Sequence, residues 1–234
     1  MEIDERILEA VEQTSIIRPP KQHLSTFGVT NIYYYLVTEP AYAEFDNNKN
    51  SETVIREGRV IAERPRVVTP FYLTRLDGFG ADAKKYFQML LETHGPDAPG
   101  IYYAYKNEPK EMNIVSDSLA AVVEKLNGKI DTRGDPMASI IKGKDELWDV
   151  SLMKFIYEIT RHSVQDNVNQ FGSRGLLNMD KRGVPAEARM RIEQLFDKVE
   201  NGEMDPGRLK EEIDRWQLFD DYQDRFFRIF SKKK

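Results

Sequence analysis

His162 is the residue whose neighbours point most directly to chemistry. Glu158 lies four residues before it and Asp166 four residues after it, so the three side chains share one stripe of a helix. This arrangement could fix an imidazole tautomer for acid–base catalysis, or supply metal ligands together with His23 or His94. The alternative is a partly exposed histidine with ordinary, weak helical ion-pair partners. We treat Glu158, His162 and Asp166 as candidate catalytic residues and assign no metal to them.

A cluster of arginines marks the first half of the chain. Between residues 53 and 75 the sequence holds five arginines and two glutamates. Planar guanidinium groups bind phosphate or carboxylate through paired hydrogen bonds, and the many nearby tyrosines could add stacking surfaces. The alternative is a charged edge strand that resists aggregation. The candidate binding residues are Arg56, Arg59, Arg64 and Arg66.

The overall charge disfavours nucleic acid as a partner. Lysine and arginine number 34 against 39 aspartates and glutamates, which gives a formal net charge of −5. A surface that is acidic on average repels a polyanion, so any such binding would depend on the arginine cluster alone. Its affinity would then fall steeply with salt.

Aromatic residues dominate the end of the sequence. Tyr222, Phe226 and Phe230 are spaced by four, so they form one stripe of a helix, and Trp216 precedes them. Burying each of these side chains is worth about 1.5–3 kcal/mol, so we expect them to be covered. The cover could be the core of the protein itself or a second copy, which predicts a homo-oligomer through the C-terminal aromatic helix.

Several chemistries are excluded by composition. The chain has no cysteine, which excludes disulfides, thiolate metal sites and cysteine nucleophiles. Phosphate-binding and dinucleotide-binding glycine motifs are absent, and the sequence leaves any cofactor or small-molecule ligand unknown. The acidic, amphipathic start and the lack of a long apolar run predict neither a secretory signal nor a membrane span. We therefore expect a cytoplasmic protein with no membrane association.

The elements expected to position these residues change character along the chain. Before residue 136 we predict helices over residues 3–13, 83–91 and 119–126, the last closed by Asn127-Gly128, and strands over residues 31–38, 53–56, 59–62, 101–105 and 112–115. Glu57-Gly58 is expected to be the turn of a hairpin. From about residue 144 the apolar spacing predicts helices to the end, best in the run Trp148, Leu152, Phe155, Ile156 and Ile159.

These elements predict an α+β protein. We expect a small, mostly antiparallel sheet with helices in the N-terminal half and an all-helical C-terminal half. The corresponding division is an α+β subdomain over residues 1–135 and a helical subdomain over residues 136–234, or one continuous domain. The leading functional hypothesis is an intracellular interaction or regulatory module that acts by binding and self-associates. The alternatives are a hydrolase or other enzyme centred on His162, with or without a metal, and nucleic-acid binding through the arginines.

Overall fold

The computed structural model describes residues 5–44, 51–68, 92–93 and 100–231. Within these residues there are seven strands and six α-helices, and a short 3-10 helix at Ala41–Glu44. The predicted helix over residues 83–91 and the histidine His94 lie outside the described residues. The strands are β1 (Ser15–Arg18), β2 (Thr30–Thr38), β3 (Thr53–Ala62), β4 (Arg66–Val68), β5 (Gly100–Tyr102), β6 (Tyr105–Val115) and β7 (Ala138–Lys142). The helices are α1 (Glu5–Gln13), α2 (Leu119–Arg133), α3 (Trp148–Ser173), α4 (Ala186–Glu200), α5 (Pro206–Arg215) and α6 (Phe219–Ser231).

The main sheet is mixed, so the predicted fold class is wrong. Its five strands follow the order β1-β7-β2-β3-β6, and β7 pairs parallel with β2 while the other neighbours pair antiparallel. β7 lies in the half of the chain that was expected to be all helical. The fold is therefore mixed α/β, with strands in the N-terminal and middle parts and helices in the C-terminal half. β7 has the sequence Ala-Ser-Ile-Ile-Lys, and a segment this short cannot be assigned to strand or helix by periodicity alone, which explains the error.

The predicted hairpin at Glu57-Gly58 is also wrong, because β3 runs without interruption from Thr53 to Ala62. Gly58 pairs with Tyr34 across the β2–β3 ladder, and the Tyr34 ring lies over it. A Cβ atom at position 58 would lie 2.8 Å from Cε1 of Tyr34, so the glycine makes room for a ring instead of forming a turn. The Tyr34 hydroxyl then donates to Oδ1 of Asn107 on β6, at 3.1 Å.

Two further boundaries differ from the predictions. β6 continues through Pro109, because a bulge opposite Glu57 and Gly58 accommodates the proline, and it is the last strand on its side of the sheet. α2 continues past Asn127-Gly128 to Arg133, where Gly134 adopts a left-handed conformation with φ of 65° and ends the helix. Its N-cap is Ser118, whose side chain accepts a hydrogen bond from the Ala121 N–H.

The chain divides into two compact units, each made of two stretches: residues 1–65 with 103–167, and residues 66–102 with 168–234. In the first unit, one face of the main sheet packs against the first part of α3 and the opposite face against α2. The second unit has its own core, built from α4, α5 and α6 with Val68 of β4. The predicted boundary at residue 135 stays a prediction, since compactness does not measure independent folding.

The amphipathic helices of the C-terminal half are confirmed. Phe155 and Ile159 on α3 are buried, and Trp148 packs against the same core. Asp205 caps α5 by accepting from the Gly207 N–H, with Pro206 in the first turn. No helix of the described residues is both long enough and apolar enough to cross a lipid bilayer.

Candidate functional site

The three residues of the histidine stripe lie on α3, but His162 bonds the helix backbone. Its Nδ1 is 2.7 Å from the carbonyl oxygen of Glu158. A carbonyl oxygen only accepts, so Nδ1 is the donor in this hydrogen bond. Asp166 instead contacts Nδ1 of His23, a half-exposed pair that ties the segment after β1 to α3.

A metal centre gains no support from this arrangement. In the parts of the chain that the structure describes, no group of three or more histidine, cysteine, aspartate or glutamate side chains could hold a metal ion. His162 is exposed and Glu158 partly exposed. The assignment of Glu158, His162 and Asp166 as catalytic residues stays a prediction, and the geometry that the structure shows for His162 is that of a helix-surface residue.

The arginines of β3 point to opposite faces of the sheet. Successive strand residues alternate between faces, so Arg56 and Arg59 lie on different sides. Arg56 lies over the Trp148 ring of α3, 5.7 Å from its centroid, and its Nη1 is 2.6 Å from Oδ1 of Asp145. On the other face, Nε of Arg59 is 3.2 Å from Oε2 of Glu108 on β6. These two guanidinium groups are therefore held by carboxylates of the same unit.

The remaining two arginines contact aromatic rings. Arg64 lies 5.8 Å from the centroid of the Phe27 ring. Arg66, which belongs to the second unit, lies 5.6 Å from the centroid of Tyr102. Nucleic-acid binding through the arginines stays a prediction, although the pairing of Arg56 and Arg59 reduces the positive charge that is available for phosphate.

Glu108 on β6 is a carboxylate with two cationic partners. Hydrogen bonds from Lys106 and Arg59 outweigh its partial desolvation and lower the pKa of the Glu108 carboxyl to about 2. The hydrogen bond to Glu108 in turn raises the pKa of Arg59. The Lys106 ammonium is 2.9 Å from Oε1 of Glu108. Glu108 is thus ionised throughout the physiological range and acts as a fixed partner for two cations.

The C-terminal aromatic residues divide between the core and the surface. Trp216 is buried and its Nε1 donates to Oε1 of Glu212 at 3.4 Å. Phe226 is buried in the same core of the second unit. Tyr222 packs on Phe196, with ring centroids 5.6 Å apart. Phe230, by contrast, is 51% exposed.

Phe227 is the residue that the four-residue spacing missed. It lies one position after the stripe formed by Tyr222, Phe226 and Phe230, so that spacing does not include it. Its side chain is 57% exposed and its ring meets those of Phe219 and Phe226 edge to face, with centroids about 6 Å apart. The apolar surface of α6 is therefore formed by Phe227 and Phe230, while the rest of the aromatic stripe belongs to the core.

No protein-family model, curated protein or solved structure matches this chain. Function must therefore be inferred from the chain's own residues and contacts.

Proposed function

We propose that this protein is an intracellular, cytoplasmic interaction module that acts by binding, and that it associates with a second copy through the outer face of α6. The observation that carries this proposal is the exposure of two neighbouring phenylalanines, Phe227 at 57% and Phe230 at 51%. Large aromatic side chains left in water are a usual feature of association surfaces.

Contacts within the second unit fix the position of α6 in the single chain. Phe226 and Ile229 are buried in the core of the second unit, so one face of the helix is anchored there. Arg225 contacts carboxylates of α4, with Nε 3.6 Å from Oε1 of Glu200. A surface that is already ordered loses little conformational entropy on binding, which favours association through it.

Charge along α6 favours a second copy as the occupant. Asp220 and Asp224 are exposed in the first half of the helix, whereas Arg228 is exposed in the second half. Three lysines, Lys232, Lys233 and Lys234, follow α6 directly in the sequence. Two copies related by a two-fold axis perpendicular to α6 would pack their helices antiparallel, which brings the acidic half of each helix towards the basic half of the other.

The test is the oligomeric state of the full chain by analytical ultracentrifugation across a concentration series. We expect a dimer, and we expect the double substitution Phe227→Ser with Phe230→Ser to weaken it at least about tenfold, since each buried phenylalanine contributes about 1.5–3 kcal/mol. Raising the salt concentration should weaken the dimer as well, because the ends of the paired helices carry opposite charges.

A matched control comes from α3. Met153 and Tyr157 are exposed to a similar degree, 62% and 63%, and lie one turn apart on that helix. Replacing both by serine should leave the dimer unchanged. A chain that stays monomeric at about 100 μM, or a dimer that the α3 variant weakens as much as the α6 variant, would overturn the proposal.

A further inference from the structure

A small cavity lies on the sheet face that α2 covers. Its volume is about 190 Å³. The residues that line it include Tyr33, Tyr35, Lys110, Arg133, Ile130 and Ala138. We call this cavity the tyrosine pocket. All of these residues belong to the first unit.

Three elements, β2, β6 and α2, place these side chains around the tyrosine pocket. Tyr33 and Tyr35 are two residues apart on β2, so both face α2. Lys110 is the extra residue of the β6 bulge, since Glu57 pairs with Glu111 and Gly58 with Pro109. A bulge re-aims the side chain it carries. Arg133 is the last residue of α2, just before the Gly134 turn.

The two cations of the tyrosine pocket contact phenol rings. The Lys110 ammonium lies 5.4 Å from the centroid of the Tyr33 ring. Nη1 of Arg133 donates to the Tyr35 hydroxyl at 3.2 Å. Among the described residues, neither Lys110 nor Arg133 forms a salt bridge with a carboxylate. A neutral ring or hydroxyl leaves the positive charge uncompensated.

The carboxylates of the tyrosine pocket already have donors. Glu57 lines the cavity and its Oε1 is 3.0 Å from the Lys129 ammonium. Asp135 also lines it, and its Oδ1 accepts the Met137 N–H at 2.9 Å. The lining of the cavity therefore holds two cations, Lys110 and Arg133, and two carboxylates, Glu57 and Asp135. Lys129 does not line the cavity but compensates the charge of Glu57, so that Asp135 is the lining carboxylate left to oppose the two cations.

We propose that the tyrosine pocket binds a small aromatic carboxylate. The planar guanidinium of Arg133 matches the planar carboxylate, with Lys110 as the second cation, and the partly exposed phenol ring of Tyr33 offers the ligand's ring a stacking surface. The volume limits the ligand to about one ring, because drug-sized ligands occupy about 300–1,000 Å³. This inference does not rest on the proposed self-association.

The test is a titration of the full chain with benzoate, followed by ¹H–¹⁵N NMR. We expect saturable shifts of the amides of Tyr33, Lys110 and Arg133, with a Kd on the order of 1 mM. Acetate and inorganic phosphate should bind at least about fivefold more weakly, because neither has a ring to stack on tyrosine. The absence of saturable shifts up to about 20 mM benzoate, or phosphate binding as tightly as benzoate, would overturn the proposal.

Charge-removing variants sharpen the test. Lys110→Gln and Arg133→Gln should each weaken benzoate about tenfold, through the loss of a charge-assisted hydrogen bond. Both side chains are exposed, so the variants should keep the melting temperature of the parent chain. The matched control is Lys106→Gln, on the same strand, whose ammonium bonds Glu108 and does not line the cavity. An equal loss of benzoate affinity in this control would mean that general charge, and not the tyrosine pocket, attracts the ligand.

Discussion

Gly58 is a position at which the packing of the core leaves no room for a side chain. The Tyr34 ring covers it, is itself 1% exposed, and is fixed by the hydrogen bond from its hydroxyl to Asn107. A methyl group at position 58 would have to displace this ring from a packed core. We expect Gly58→Ala to lower the free energy of unfolding by about 1–3 kcal/mol, measured by urea denaturation of the full chain.

Gly128 supplies the control for that measurement. It lies inside α2, and a Cβ atom there would meet nothing within 4 Å. Gly128→Ala should therefore stabilise the protein by about 0.5–1 kcal/mol, the usual helix preference of alanine over glycine. If Gly58→Ala proves neutral or stabilising in the same assay, the close approach of Tyr34 to the backbone of β3 is incorrect.

At the scale of elements, one carboxylate joins β2, β3 and the segment before α3. Oδ1 of Asp145 accepts from the Thr38 hydroxyl at 2.7 Å and from Arg56 at 2.6 Å, and its Oδ2 accepts the Ala41 N–H at 3.3 Å. The Asp145 and Arg56 side chains are only 18% and 17% exposed. Asp145→Asn removes the charge and leaves Arg56 poorly compensated, so we expect a loss of about 1–3 kcal/mol in the free energy of unfolding.

The same pair predicts a pH dependence. Burial by itself would raise the pKa of Asp145, but the hydrogen bonds from Thr38 and Arg56, the Arg56 charge and the Ala41 N–H outweigh it, so the pKa is lowered. Such a carboxylate stabilises the folded chain above its unfolded pKa of about 3.9, and the effect is lost as the pH falls towards the folded pKa. The stability difference between the parent chain and Asp145→Asn should therefore be constant near neutral pH and shrink below about pH 4.

Asp117→Asn is the matched control for both measurements. Asp117 bonds Lys125 at 2.6 Å, but the two side chains are 42% and 70% exposed. An exposed pair of this kind contributes between about 0 and 1 kcal/mol. An effect of Asp145→Asn no larger than that of Asp117→Asn would contradict the role given to Asp145.

The elements that the sequence predicted well are those with a clear period or composition. β2 is rich in β-branched and aromatic residues, and α3 repeats apolar residues at helical spacing. The sequence therefore predicted β2 to within one residue and predicted the start of α3. β7 was missed because its signal is short, and its partner β2 is more than one hundred residues away. The tyrosine pocket was missed for a related reason: Lys110 meets Tyr33 only through the β6 bulge, which depends on pairing with β3.

At the scale of the whole molecule, the chain returns to its first unit after contributing to its second. β6 and β7 complete a sheet that β1, β2 and β3 began, and α2 and the first part of α3 cover its two faces. β7 lies between β1 and β2, so a chain that ends before residue 142 cannot form the continuous sheet. A long-range arrangement of this kind makes the stability of the first part of the chain depend on residues far along the sequence.

We therefore expect a fragment of residues 1–135 not to fold alone. It lacks β7, and it lacks the α3 side chains Leu152, Phe155, Ile156 and Ile159 that cover one face of the sheet. Burying these four contributes about 6–12 kcal/mol, which is comparable to the whole stability of a typical domain. Circular dichroism should show no cooperative thermal transition for this fragment, whereas residues 1–167, which contain both stretches of the first unit, should unfold cooperatively. A cooperative transition in the shorter fragment would instead support a domain boundary at residue 135.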